Sequence, residues 1–146
     1  TRAGRACRSG GPLPTAALTP TAVSRSFYEA WTGGDIDAAV GLLAEGVVVD
    51  APRAGHLVGA EQYRPVLRGY LQILKGSELL AIAGDESSSL VYYTNFTSLV
   101  EVAPTVEYHT VQDGKITYIR IIFDRLPFEN ARQEAGLPNS LQKGRA

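Results

Sequence analysis

Two β-rich runs flank the dipeptide Asp113-Gly114, and this arrangement constrains the fold more than any other feature of the sequence. Asp-Gly between runs of β-branched and aromatic residues predicts a β-hairpin with a two-residue turn. The predicted hairpin covers residues 105–124, TVEYHTVQDGKITYIRIIFD. Side chains alternate between the two faces of a strand, so Glu107 and His109 share one face. That face is either exposed to solvent or part of a pocket.

Composition indicates an ordinary globular protein. The chain has 146 residues, of which 45% are hydrophobic and 20% are charged, and its formal net charge is -1. A chain of this length can form one domain with its own core, and its charge favours neither nucleic acid nor a membrane as partner. The single cysteine, Cys7, fits a reducing, cytoplasmic location. Because there are only two histidines and one thiol, we expect no metal site. The sequence has no Gly-rich phosphate loop or Walker-type motif, and we expect no cofactor.

The two ends of the chain differ from its middle. Residues 1–18 carry three arginines, no acidic residue and a Gly-Gly-Pro-Leu-Pro run, which predicts a disordered N-terminal arm. We therefore expect a single domain at residues 19–138, followed by a C-terminal tail at residues 139–146.

Helices are predicted in the first half of the domain. Thr19-Pro20 suits the N-cap and first position of an amphipathic helix that ends at Gly33-Gly34. A second helix is predicted from Asp35 to Gly46, and a third runs from about Ala60 to Lys75-Gly76.

Strands dominate the second half. A short strand at residues 47–49 leads to Asp50, and residues 51–59 are predicted to be a loop because of their Pro and Gly content. Helices followed by antiparallel strands predict an α+β domain in which a strongly curved sheet wraps the helices. The other predicted elements are strands at 79–83, 90–102, 105–112 and 115–123, a break at Pro104 and a short helix at 126–135.

Several sequence motifs resemble the SnoaL-like branch of the nuclear transport factor 2 (NTF2-like) superfamily. They are GGDIDAAVGLLAEGVVVDAP, the loop ending in Val58-Gly59, and DGKITYIRIIFD, and the resemblance covers residues 23–137. It implies a cystatin-like cone in which N-terminal helices pack into a curved antiparallel or mixed sheet. It also implies a homodimer through the outer sheet face, where parity places Tyr92, Phe96, Arg120 and Ile122. Members include isomerases, cyclases, epoxide hydrolases and proteins that only bind, so the fold leaves activity open.

The hairpin and the following Leu137-Pro138 are most similar to limonene-1,2-epoxide hydrolases. The resemblance places that family's catalytic aspartate on Ile121 and its Arg-x-Asp pair on Asn95 and Thr97. The carboxylates and the arginine that activate water in that family are therefore replaced here. Epoxide opening by a rearranged site is kept as a third hypothesis.

Ketosteroid isomerases and polyketide cyclases of the superfamily suggest other acid–base residues. The isomerase general base falls at or next to Asp50, its second aspartate falls on Glu107, and its donor tyrosine falls on Phe27. Cyclases use a pocket histidine and aspartate, which makes His109 a candidate. Asp50 has an alternative role in capping the turn at Ala51-Pro52, since aspartate commonly does so.

Strand parity predicts a mostly apolar cavity with a few converging polar groups, as is typical of a small-molecule site. Glu107 and His109 either face this cavity, or face solvent or a dimer interface. His56 is a weaker candidate for closing over a ligand. The predicted lining residues are Phe27, Trp31, Tyr63, Tyr93, Asn95, Thr97, Leu99, Ile119, Ile121 and Phe123.

Two hypotheses of different classes follow. The leading one is a cofactor-free isomerase or cyclase acting by general acid–base chemistry on an apolar oxygenated molecule such as a polyketide or terpenoid. Asp50 would abstract a proton beside a carbonyl, and Glu107 or His109 would support the enolate or return the proton. The rival is a non-catalytic ligand-binding or dimerisation domain.

Overall fold

The computed structural model describes residues 18–136, and the helices pack against one curved, six-stranded mixed sheet. The strand order is β2-β1-β6-β5-β4-β3, in which β1 and β6 are parallel and the other neighbours are antiparallel. The predicted α+β class and cystatin-like cone are confirmed. The elements are α1 Pro20–Thr32, α2 Ile36–Gly41, β1 Leu43–Ala51, β2 Gly55–Val58, α3 Ala60–Leu71, β3 Leu74–Gly84, β4 Ser88–Thr97, β5 Ala103–Gln112, β6 Lys115–Ile122 and α4 Leu126–Glu134. Residues 1–17 of the arm predicted at residues 1–18, and the tail predicted at 139–146, lie outside the described residues.

Helix α1 forms the centre of the concave side. Thr19 caps it by accepting a hydrogen bond from the Ala22 amide, and Pro20 occupies its first turn, as predicted. The buried stripe contains Phe27, which is fully buried, and Trp31, which is 3% exposed. The helix therefore provides much of the core against which the sheet curves.

Helix α2 is shorter than predicted. It ends at Gly41 rather than Gly46, because the chain turns at Leu42 and enters β1 at Leu43. The Ile116 amide of β6 donates to the Leu42 carbonyl at 2.9 Å, and Leu43 pairs with Ile116. Tertiary strand pairing has overridden the local helical pattern here.

The predicted loop at residues 51–59 contains strand β2. It pairs with β1 in an antiparallel hairpin, with Asp50 opposite His56. The Pro and Gly content of this segment therefore predicts the turn at residues 52–54 correctly, but it hides the strand that follows the turn.

Other strand limits also differ from the prediction. Strand β3 begins at Leu74, so Gly76 lies in a strand opposite Phe96 instead of ending a helix. Strand β4 ends at Thr97, five residues before the predicted end, because the Thr97 hydroxyl and backbone close a turn onto Val100. Pro104 does not break the sheet, since it is the second residue of β5, near a strand end where the missing amide donor is tolerated.

A β-bulge changes the alternation of inward and outward side chains in the β5–β6 hairpin. The β5–β6 register shifts between Thr110 and Val111, so Ile116 and Ile119 are both fully buried. Strict alternation from Ile119 and Ile121 would turn Thr117 inward, but its hydroxyl lies 2.7 Å from the hydroxyl of the outward-facing Thr110. Beyond the bulge the predicted alternation holds.

The turn of this hairpin depends on backbone conformations with positive φ. Asp113 has φ 52° and Gly114 has φ 73°, which is typical of the predicted Asp-Gly turn. A Cβ atom added at Gly114 would also lie 2.8 Å from the Leu18 side chain.

We therefore expect Gly114→Ala to lower the free energy of unfolding by about 1–2 kcal/mol, the usual cost of a left-handed non-glycine residue. Chemical denaturation measures this difference. Gly41→Ala is the matched control, because a Cβ atom there meets nothing within 4 Å, and alanine favours a helix. Equal stability of the Gly114→Ala variant and the wild type would contradict the turn geometry.

Candidate functional site

A cavity of about 550 Å³ lies between the sheet and helices α1, α3 and α4. Its walls are mostly apolar, and a few polar side chains from α3, β4 and β5 reach it. Such a wall is typical of small-molecule sites. The predicted residues that line it are Trp31, Tyr63, Tyr93, Asn95, Leu99, Glu107, Ile121 and Phe123.

Three predicted lining residues have structural positions instead. Phe27 and Ile119 are fully buried in the core, away from the cavity surface. Thr97 donates its hydroxyl to the Val100 carbonyl at 2.7 Å and so stabilises the β4–β5 turn.

Glu107 is the central polar group of the cavity. It lies on β5 between Val91 of β4 and Ile121 of β6, and only 1% of its surface is exposed. It is the only carboxylate among the described residues that line the cavity, and its Oε2 atom has no hydrogen-bond partner. A buried charged group without a full set of partners is costly, so this side chain is a strong candidate for function.

Two buried tyrosines lie near this carboxylate. Burial, followed by the charge of Glu107, raises the pKa of Tyr63 and of Tyr93 well above the usual value. Both phenols therefore stay protonated at neutral pH and can donate a hydrogen bond. The cavity thus combines a proton acceptor with neutral donors.

His109 lies behind Glu107 and does not line the cavity. Its Nε2 atom is 3.8 Å from the Glu107 Oε2 atom, and its Nδ1 atom is 2.8 Å from the Ser24 hydroxyl. Ser24 in turn contacts the Ser89 hydroxyl, and Phe27 packs edge-on against the imidazole with ring centroids 5.7 Å apart. The result is a fully buried row of polar side chains that ends at Glu107.

Sequence reasoning missed Ser24 and Ser89, although the sequence holds a signal for each. Ser24 lies in the buried stripe of α1, where a polar residue needs a partner. Ser89 is directly opposite His109 in the β4–β5 register. A polar residue on an apolar helix face, combined with strand register, would have identified both.

Asn95 and Trp31 add further polar atoms. The Asn95 amide donates to the Tyr70 hydroxyl at 3.0 Å, while its Oδ1 atom has no hydrogen-bond partner. The indole nitrogen of Trp31 is also buried without a partner. Because leaving buried polar atoms unpaired is unfavourable, both are suited to bind a polar group of a ligand.

Asp50 lies on the opposite face of the sheet, which corrects the expectation that it meets Glu107 across the cavity. Val47 and Val49 are fully buried on the inner face, so parity turns Asp50 outward. The alternation of Val47, Val49 and Asp50 in the sequence already indicates this orientation, against the position that the resemblance to isomerases implies.

The Asp50 carboxylate is held by three outer-face residues. His56 Nδ1 is 2.7 Å away, the Tyr118 hydroxyl donates at 2.8 Å, and Arg120 Nη2 is 3.6 Å away. The hydrogen bonds from His56 and Tyr118 lower the pKa of Asp50, which makes it a weak base. His56 therefore pairs with Asp50 and does not close over the cavity. Asp50 and Arg120 border a separate depression of about 320 Å³.

Neither a metal centre nor a membrane span is found within residues 18–136. No group of three or more His, Cys, Asp or Glu side chains there could hold a metal ion. No helix in the same range is long and apolar enough to cross a membrane.

Comparison with known proteins shows the family and the fold. Residues 24–119 match the SnoaL-like domain family. No curated protein matches the chain. A crystal structure of a Kribbella flavida DSM 17836 protein is 40% identical, with a TM-score of 0.77, and covers 82% of this chain and 98% of that one.

Two more distant structures support the fold alone. A candidate ketosteroid isomerase from Kribbella flavida DSM 17836 is 18% identical with a TM-score of 0.65, covering 72% of this chain and 77% of that one. An LEH-like epoxide hydrolase from M. tuberculosis is 20% identical with a TM-score of 0.63, covering 84% and 93%. With the family match over most of the domain, the chain belongs to the SnoaL-like domain family of the NTF2-like fold.

Proposed function

We propose that this protein is a cofactor-free enzyme of the isomerase or cyclase type, acting by general acid–base chemistry on an apolar oxygenated small molecule such as a polyketide or terpenoid. The observation that carries the proposal is Glu107, a buried carboxylate with an unpartnered oxygen on the wall of a mostly apolar cavity. Buried titratable groups on the walls of such cavities are typical of proton-transfer sites.

Glu107 is the proposed base, in place of Asp50. Its carboxylate takes a proton from the carbon beside a substrate carbonyl, and the electrons of that C–H bond move to form an enolate. The protonated Glu107 then returns the proton to another carbon, so the cycle needs no other reactant. A positioned general base of this kind contributes a rate factor of about 10²–10⁴.

Neutral donors near Glu107 suit the developing enolate oxygen. Tyr63 and Tyr93 keep their protons at neutral pH because burial and the Glu107 charge raise the pKa of each. A hydrogen bond from a phenol stabilises an enolate more than a ketone, because the oxygen gains charge in the transition state.

His109 is proposed as a positioning residue for Glu107. Its imidazole faces the Glu107 carboxylate at 3.8 Å and is itself fixed by Ser24. It does not line the cavity, so it acts through Glu107.

A second candidate is a non-catalytic ligand-binding or dimerisation domain. The outer sheet face favours association, because Leu90, Tyr92, Phe96 and Ile122 are exposed there, with Ile122 57% exposed. We propose a homodimer through this face under either function.

Epoxide opening by a rearranged site has less support, because Glu107 is the single cavity carboxylate among the described residues.

We expect the wild-type protein to exchange the α-protons of a small apolar ketone with D₂O, measured by proton NMR on 2-tetralone, 1-tetralone and carvone. Glu107→Gln should slow the exchange at least about a hundredfold, because an amide cannot accept the proton. Asp50→Asn is the matched control, since it removes a carboxylate from the opposite face of the sheet.

Exchange by Glu107→Gln at the wild-type rate would contradict the role of Glu107. A loss of exchange in Asp50→Asn alone would restore Asp50 as the base. Binding of the ketones without any exchange in the wild type would favour the non-catalytic function.

For the homodimer, we expect light scattering after size exclusion to give twice the chain mass of 15.6 kDa. Phe96→Glu combined with Ile122→Glu should give the mass of one chain, because acidic side chains in an apolar interface are costly. Leu126→Glu, 62% exposed on α4, is the control and should leave the mass unchanged. A single-chain mass for the wild type would contradict the proposed dimer.

A further inference from the structure

We propose that the ligand of the cavity carries a carboxylate, which binds between Arg53 and Arg132, while its apolar body extends toward Glu107. This inference rests on the proposed function only in assuming that the cavity takes a small molecule. It adds the charge of that molecule and its orientation.

Two arginines line the cavity from different elements. Arg53 lies in the turn between β1 and β2, and Arg132 lies on α4. Both side chains are half-buried, and the Nε atom of each is buried without a hydrogen-bond partner. Among the described residues, neither arginine forms an ion pair. Unpaired guanidinium nitrogens on a cavity wall are suited to an anionic ligand group.

The two positive charges also affect each other. Burial first, and then the charge of Arg132, lower the pKa of Arg53, while the nearby Glu129 raises it. Because the pKa of Arg53 is lowered on balance, Glu129 offsets only part of the effect of burial and of the charge of Arg132. A bound carboxylate would reduce the repulsion and replace the lost hydration of both groups.

The Arg53 guanidinium is held in place before any ligand binds. Its Cζ atom lies 5.0 Å from the ring centroid of Phe128, which is 1% exposed and packs against Phe123. Arg125, at the start of α4, donates to the Pro52 carbonyl at 3.4 Å and ties the same turn to the helix. A planar guanidinium fixed in this way matches a carboxylate without a large ordering cost.

The remaining lining restricts the rest of the ligand. Apart from Glu107 and the two arginines, the described cavity wall has no charged residue. Its volume of about 550 Å³ suits a small organic acid. A carboxylate held at the arginines would direct the opposite, apolar end of the molecule toward Glu107, since like charges repel.

A matched pair of probes tests the inference by isothermal titration calorimetry on the full chain. Naphthalene-2-carboxylate and naphthalene-2-carboxamide share one ring system and differ in charge. We expect the carboxylate to bind at least about tenfold more tightly, as charge-assisted hydrogen bonds usually do. Arg53→Gln and Arg132→Gln should each weaken carboxylate binding about tenfold and leave amide binding unchanged. Arg68→Gln, on the exposed face of α3, should change neither.

Equal affinities of the wild type for the two probes would overturn the inference and leave the proposed function standing. Binding of neither probe would also overturn the inference, and exchange of ketone protons by the wild type would then decide whether the proposed function stands. If a glutamine variant also loses amide binding, its cavity has been damaged. Arg53→Lys and Arg132→Lys must then keep the carboxylate preference, and equal affinities in both would overturn the inference.

Discussion

The parallel pairing of β1 with β6 is the contact on which the rest of the structure depends. It joins the helical first half of the chain to the antiparallel strands of the second half. Without it, β1 and β2 would separate from the sheet, and the turn that carries Arg53 would lose its position beside α4. It also fixes which side chains of β1 face inward, because Val47 and Val49 pack into the core. The cavity and the outward position of Asp50 both follow from this one pairing.

A buried row of polar side chains runs from helix α1 through the inner face of the sheet. Glu107, His109, Ser24 and Ser89 form a buried row in a domain whose core is otherwise mainly apolar. Each of these groups loses hydration on folding, and the hydrogen bonds among them offset part of that cost. The row leaves the Glu107 Oε2 atom without a hydrogen bond, 3.8 Å from His109 Nε2, while the Glu107 side chain lines the cavity. Stability alone would favour an apolar side chain there, so the proposed proton-transfer role gives a physical reason for the carboxylate.

Much of the fold could be predicted from the sequence, since local signals determine it. The Thr19 cap, the Asp113-Gly114 turn and the alternation along β4 and β5 each have a short-range cause. The errors have long-range causes. Helix α2 ends early because Leu43 pairs with a strand more than seventy residues away along the chain, and Thr117 turns outward because of a bulge formed only in the paired sheet.

The candidate site was partly predictable for the same reason. Parity correctly placed Glu107 and His109 inside, whereas Asp50 was assigned by resemblance against the parity of its own strand. Arg53 and Arg132 could not be identified, because a turn and a C-terminal helix meet only in the folded chain. The most direct test of the account is a crystal structure of the protein with 2-tetralone. The account predicts the ketone in the cavity, with its α-carbon about 3.5 Å from the Glu107 carboxylate. A ketone bound beside Asp50 and His56, with the cavity unoccupied, would contradict it.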